Sequence, residues 1–106
     1  MEKAKITQLG DELYEALSAR KTISPLTSRG FDISIEDAYH IQQQMLSRRL
    51  ANGEKIIGKK IGVTSKVVMD MLGVYQPDFG HLLSGMVFNE GEPVDTSKLI
   101  APKAEA

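Results

Sequence analysis

The residues of this chain that could do chemistry are few. Lys59 and Lys60 stand side by side in Gly58-Lys59-Lys60-Ile61-Gly62. In a strand, neighbouring side chains point to opposite faces, so one lysine can reach solvent while the other turns inward. An inward ammonium needs a carboxylate or an anionic ligand. Flanking glycines let backbone or ligand come close. The plainer reading, two solvated lysines on a twisted edge strand, stands beside it. Asp78 lies between Pro77 and Phe79, where an aspartate suits a turn. His81, three residues on, could pair with it, but such pairs are commonplace. His40 reads as an ordinary surface or half-buried histidine. Thr64-Ser65 could hold an anion on free N–H groups or simply cap a helix. Glu105, read alone, is a solvated glutamate. A second carboxylate two residues on would share its strand face and chelate a hard cation, and only the first of such a pair is present.

Other chemistries are excluded. The lysines precede Thr64 and Ser65 at the wrong distance for a phosphate-binding P-loop, and no His-Glu-x-x-His or Gly-x-Ser-x-Gly run occurs. The absence of cysteine rules out a disulfide framework, a thiolate metal site and a cysteine nucleophile. Thirteen Lys and Arg against fourteen Asp and Glu leave a net charge of −1, without the clustered basic excess of a nucleic-acid surface. No apolar run approaches a membrane span. The charged start Met1-Glu2-Lys3-Ala4-Lys5 has no apolar stretch behind it, so no secretory signal is expected. The expectation is a cytoplasmic protein with no nucleic-acid or membrane partner.

These residues must be positioned by a small α+β chain of 106 residues. Ile6, Leu9, Leu13, Ala16, Leu17 and Arg20 recur at helical spacing, predicting a helix over about 7–20, weakened at Gly10. Residues 21–32 read as an ordered loop. A second helix is expected over 34–52, with Ser34 as cap, Asp37 closing a capping box and Gly53 ending it. Residues 54–63 read as a strand. Ser65 then caps a short helix that Gly73 stops. Residues 75–80 read as a turn, 86–88 as a strand, 89–91 as a turn, and Leu99-Ile100 and 104–106 as extended. Met69, Met71 and Met86 read as core filler. Two helices and three scattered strands make a thin core, so apolar surface and strand edges should be left open to association.

In order and spacing these segments resemble a known family. They are Thr27-Ser28-Arg29-Gly30-Phe31-Asp32, Ile35-Glu36-Asp37-Ala38-Tyr39, the block from Gly58 to Ser65, Met71-Leu72-Gly73-Val74, Gln76-Pro77-Asp78-Phe79-Gly80 and Ile100-Ala101-Pro102-Lys103-Ala104-Glu105-Ala106. They look like the N-terminal part of the 2-hydroxypenta-2,4-dienoate (2-keto-4-pentenoate) hydratases. These belong to the hydratase/decarboxylase branch of the fumarylacetoacetate hydrolase superfamily. The resemblance implies a helical segment over 1–54 leading, over 55–106, into the first short strands of a β-rich catalytic roll that is truncated here. It implies Lys60 as the lysine that meets the substrate's acidic end or assists proton transfer. It implies Leu72 as an apolar contact to substrate, Asp78 as an acid at the rim, and Glu105 as the first carboxylate ligand of Mg²⁺ or Mn²⁺. The implied substrate is a small 2-hydroxy or 2-oxo acid from aromatic-compound degradation, and the implied assembly a homo-oligomer. With two further metal carboxylates missing, the 106 residues alone are expected to be inactive. A 4-oxalocrotonate decarboxylase of the same branch and a non-catalytic binding or assembly module are the alternatives.

Overall fold

A computed structural model describes residues 1–105; Ala106, the last residue of the expected extended end, lies outside them. Three helices and two strands follow in the order α1 (Lys3–Ser18), α2 (Ile35–Ala51), β1 (Ile56–Gly62), α3 (Lys66–Leu72) and β2 (Asp78–Leu83). The chain forms two compact units, Met1–Gly53 together with residues 90–105, and Glu54–Asn89. The sequence places one boundary, at 54/55; the two units divide after Gly53 and again after Asn89.

In the first unit α1 packs on α2. Leu9 and Ile41 are its buried apolar side chains, each contributing about 1.5–3 kcal/mol by burial. Gly10 explains itself here. A Cβ at that position would stand 2.5 Å from the Cβ and Cγ of Gln44 and 2.9 Å from the Ile41 carbonyl, so the glycine is what lets the helices approach. Polar groups then fix their register. Gln44 donates to Asp11 at 2.8 Å, and Arg48 reaches Asp11 at 3.1 Å and Glu15 at 2.8 Å. Arg48 also lies 4.5 Å from the centre of the Tyr14 ring, within cation–π range. The stripe of α2 that meets α1 therefore includes the polar Gln44 and Arg48 as well as the apolar Ile41.

The cap of α2 follows the sequence closely. The Ser34 hydroxyl accepts the Asp37 N–H, and the Asp37 carboxylate accepts the Ser34 N–H, closing the capping box. The loop before it contains a 3₁₀ turn, Leu26–Arg29. Arg29 anchors that turn with two bonds to the Glu12 carboxylate, at 3.0 and 2.8 Å, and one to the Ser24 carbonyl at 3.2 Å.

The second unit is an antiparallel ribbon of β1 and β2 with α3 between them in sequence. Its register pairs Gly58 with Leu82, Lys59 with His81, Lys60 with Gly80, Ile61 with Phe79 and Gly62 with Asp78, with Ile57 as an extra residue in a bulge. Ser84 extends the ladder by donating its N–H to the Lys55 carbonyl and accepting the Lys55 N–H on its hydroxyl. Leu83 is buried.

The structure corrects several expectations. Residues 78–83, read as the end of a turn and beyond, form the second strand. Residues 86–88 do not pair; the chain makes a 3₁₀ turn at Ser84–Met86 instead. Another 3₁₀ turn, Thr96–Lys98, precedes Leu99, whose backbone is extended as expected, though neither it nor Ile100 is paired in a strand. Met71 and Met86 are exposed rather than core filler. Among the described residues no helix is long and apolar enough to cross a membrane.

Candidate active site

Strand pairing decides which side chains share a face, because residues directly opposite in an antiparallel pair project the same way. One face of the ribbon carries Gly58, Lys60 and Gly62 from β1 and Leu82, Gly80 and Asp78 from β2. Half of these six positions are glycine. A Cβ at Gly62 or Gly80 would meet nothing within 4 Å, and one at Gly58 only Leu82, at 3.5 Å. The result is a strip of bare backbone, termed the trough below, with Lys60 standing in its middle and Asp78 at one end. Asp78 is diagonal to Lys60, a relation that places backbone positions roughly 7–8 Å apart. The Lys60 ammonium rests on the Ile61 carbonyl at 3.2 Å.

The other face carries Lys59, Ile61, Phe79 and His81. Ile61 and Phe79 sit directly opposite each other and are 51 and 54 % exposed. Asp78 and His81 therefore point to opposite faces, and no dyad forms between them. Both lysines are exposed, in keeping with the plainer of the two readings above. A two-stranded ribbon has two open faces, so alternation here chooses a face and not a depth.

α3 follows β1 after three residues. Ser65 caps it by accepting the Val68 N–H at 3.2 Å, which gives this serine the plain capping role. Leu72 is the last residue of α3, 55 % exposed, and Gly73 ends the helix in the left-handed conformation at φ +67°. Lys60, Leu72 and Asp78 thus belong to one compact unit. Glu105, exposed, belongs to the other. No three His, Asp or Glu side chains come together as a metal-holding group among the described residues, so these residues do not make a complete cation site. Two concavities of about 450 and 420 Å³ open in the helical unit. Neither is lined by any of the four candidate residues.

The sequence reading missed the trough itself. Its signal was the match between Gly58-x-Lys60-x-Gly62 and Asp78-x-Gly80-x-Leu82, two runs of alternate residues that become one face only once paired.

No family model matches the chain. Individual proteins do. It is 65 % identical, over 106 residues, to the 2-hydroxypent-2,4-dienoate hydratase of Pseudomonas putida, covering 99 % of this chain and 48 % of that one. It is 50 % identical to the 2-hydroxyhexa-2,4-dienoate hydratase of Comamonas testosteroni, covering 98 and 40 %. The chain is a close relative of these hydratases. It spans about half, or less, of the length of the hydratases it matches. In three dimensions it superposes on the 4-oxalocrotonate decarboxylase from Pseudomonas putida G7, solved with magnesium and adipate, at a TM-score of 0.89 and 31 % identity. That match covers 94 % of this chain and 38 % of the decarboxylase. The α+β arrangement of helices and ribbon is therefore shared with the decarboxylase.

Proposed function

We propose that this chain forms part of a hydro-lyase that adds water to 2-hydroxypenta-2,4-dienoate, giving 4-hydroxy-2-oxopentanoate, in the meta-cleavage degradation of aromatic compounds in the cytoplasm. The observation that carries the reading is the 65 % identity to a dienoate hydratase. The decarboxylase alternative rests on a neighbour at 31 %, and the margin favours the hydratase.

The trough supports a division of labour. A glycine floor admits a flat, conjugated acid close to the backbone. Lys60, standing in that floor, offers a fixed positive charge to the substrate's carboxylate and to the enolate that develops as the dienol ketonises. Asp78, on the same face, accepts or returns the proton that moves between carbon and oxygen. Leu72 supplies apolar contact to the hydrocarbon end. Lys59, on the opposite face, takes no part.

A divalent cation, Mg²⁺ or Mn²⁺, belongs to this reading with Glu105 as one ligand, in keeping with the magnesium in one decarboxylase structure and the calcium in another. Glu105 alone is not a site. The additional length of the relatives leaves room for the remaining ligands and the rest of a β-rich roll, and a homo-oligomeric assembly belongs to the same reading.

The test is a chimera in which these 106 residues replace the aligned segment of the Pseudomonas putida hydratase. It should consume 2-hydroxypenta-2,4-dienoate and yield the hydrated 2-oxo acid without releasing CO₂, while the 106 residues alone should stay below about 1 s⁻¹, the low end of ordinary turnover. A folded chimera with no hydration, or one that releases CO₂ from 4-oxalocrotonate instead, would overturn the assignment.

A further inference from the structure

Four glycines, at positions 30, 53, 73 and 91, adopt the left-handed backbone, with φ between +67° and +98°. Each does so without a Cβ to obstruct it. Among the described residues Arg20, Val63 and Ala101 share the region without being glycine, at φ +52°, +55° and +46°; Val63 is the β-branched one of them, and there a β-branched residue is a genuine outlier. Its neighbour Gly62 could take that conformation freely, yet Gly62 is not among the left-handed residues and instead forms the last rung of β1, opposite Asp78. The chain therefore uses its glycine to keep the trough open and puts the strained turn on a half-buried valine. Such outliers persist where the surrounding structure over-determines them, and they gather at functional sites.

The location gives the strain a purpose. Val63 is the joint between β1, which carries Lys60, and α3, which carries Leu72. Only Thr64 and Ser65 lie between it and the helix, and Ser65 is already committed to the cap. Residues 73–77 tie the far end of α3 to β2, and at its near end Val63 is the one linker residue in the left-handed region. A glycine there would reach the same turn at less cost but would also reach many others.

We propose that Val63 is a positioning residue, whose strained left-handed turn holds α3, and with it Leu72, in a fixed orientation to the face bearing Lys60 and Asp78. Its value for catalysis rests on the hydratase reading; the orientation itself does not. The test uses the isotopically labelled 106-residue chain in weak alignment, with residual dipolar couplings measured for the amides of β1 and α3. In the wild type one alignment tensor should fit both elements. Val63→Gly should leave the folded-to-unfolded ratio unchanged or raise it by up to roughly tenfold, as strain is relieved against the added freedom of the unfolded chain. The same variant should reduce the couplings of α3 relative to those of β1. Val63→Ile, which keeps the branch, should restore the single tensor. Val63→Asn, a residue tolerant of the left-handed region, should fold at least as well as wild type. In the chimera, Val63→Gly should lower kcat/KM about tenfold while stability holds. The proposal is overturned if Val63→Gly keeps one tensor, or if stability falls in both the Gly and Asn variants, since packing and not strain would then be the valine's role. A wild-type chimera without hydratase activity would refute the hydratase reading and leave the coupling measurement to decide the orientation.

Discussion

Where α1 meets α2, there is no room for a methyl group at Gly10, and Asp11, Glu12 and Glu15 are all engaged by Gln44, Arg29 or Arg48. Across the ribbon the opposite holds. A methyl group at Gly62 or Gly80 would touch nothing, and Ile61, Phe79 and Leu72 are each more than half exposed. Glycine serves two purposes in one chain: at position 10 it closes a contact, and at 62 and 80 it keeps one open. The helical unit closes the contact between α1 and α2 on itself. The ribbon unit leaves a backbone floor and a lysine open, which is what the proposed substrate-binding role needs. The same contrast separates two kinds of sensitivity to mutation, one read in stability and the other in activity.

The largest effect is expected from filling the trough. Gly80→Val, in the chimera with the Pseudomonas putida hydratase, puts a branched side chain opposite Lys60 in space that is now empty. Valine suits a strand, so folding should survive. Displacing the substrate by about 1 Å typically costs roughly a hundredfold in rate, and kcat/KM should fall by that order while the melting temperature holds. Unchanged kcat/KM would show that the trough is not where substrate lies.

Gly10→Ala tests the other use of glycine. Alanine is the better helix former by about 1 kcal/mol, but its methyl would collide with Gln44 and with backbone at Ile41. Overpacking of this sort costs about 1–3 kcal/mol. Denaturant unfolding followed by helical circular dichroism should show a net loss; a gain would mean that the helices part easily. A smaller loss, about 1 kcal/mol, is expected for Ser34→Ala by the same assay, because the capping bond to Asp37 disappears.

The acid response should also belong to the helical unit. Hydrogen bonds from Gln44 and Arg48 hold the Asp11 carboxyl below its usual range, Arg29 does so for Glu12, and the Ser34 backbone and hydroxyl with the N-terminal amine do so for Asp37. Depressed folded-state values mean that this stabilisation is present above the unfolded carboxylate range, about pH 4, and is lost as pH falls through the lower folded values. All three groups are solvent-accessible, so the loss should be modest. Melting temperature followed from pH 5 to pH 2 should decline for wild type and decline less for Asp11→Asn. Equal slopes would mean that the Gln44 and Arg48 contacts to Asp11 add nothing to stability.

Much of this arrangement was legible before the fold was known, where local rules decide. The Ser34–Asp37 box, the Gly53 and Gly73 stops and the Ser65 cap depend on residues within a few positions of one another. β2 was not legible. Pro77, Asp78 and Gly80 are turn-forming residues, and the strand has no buried face to impose a hydrophobic alternation on Asp78, Gly80 and Leu82. Strand alternation separates Lys59 from Lys60 but cannot name the face that also carries Asp78, because that depends on a register with residues some twenty positions away. Gly10 reads locally as a helix defect and acquires its meaning from Gln44, thirty-four residues on.

The central claim is that the face shared by Lys60 and Asp78, and not the face shared by Lys59 and His81, meets the substrate. It is tested most directly by comparing kcat/KM of Lys60→Ala and Lys59→Ala in the chimera. Both lysines are exposed, so both variants should fold as well as wild type. Lys60→Ala should lose an interaction that strengthens as negative charge develops, about 3 kcal/mol or roughly a hundredfold in rate, and Lys59→Ala should stay within about 0.5 kcal/mol of wild type. The reverse order, or equal losses, would contradict the assignment of the site to this face of the ribbon.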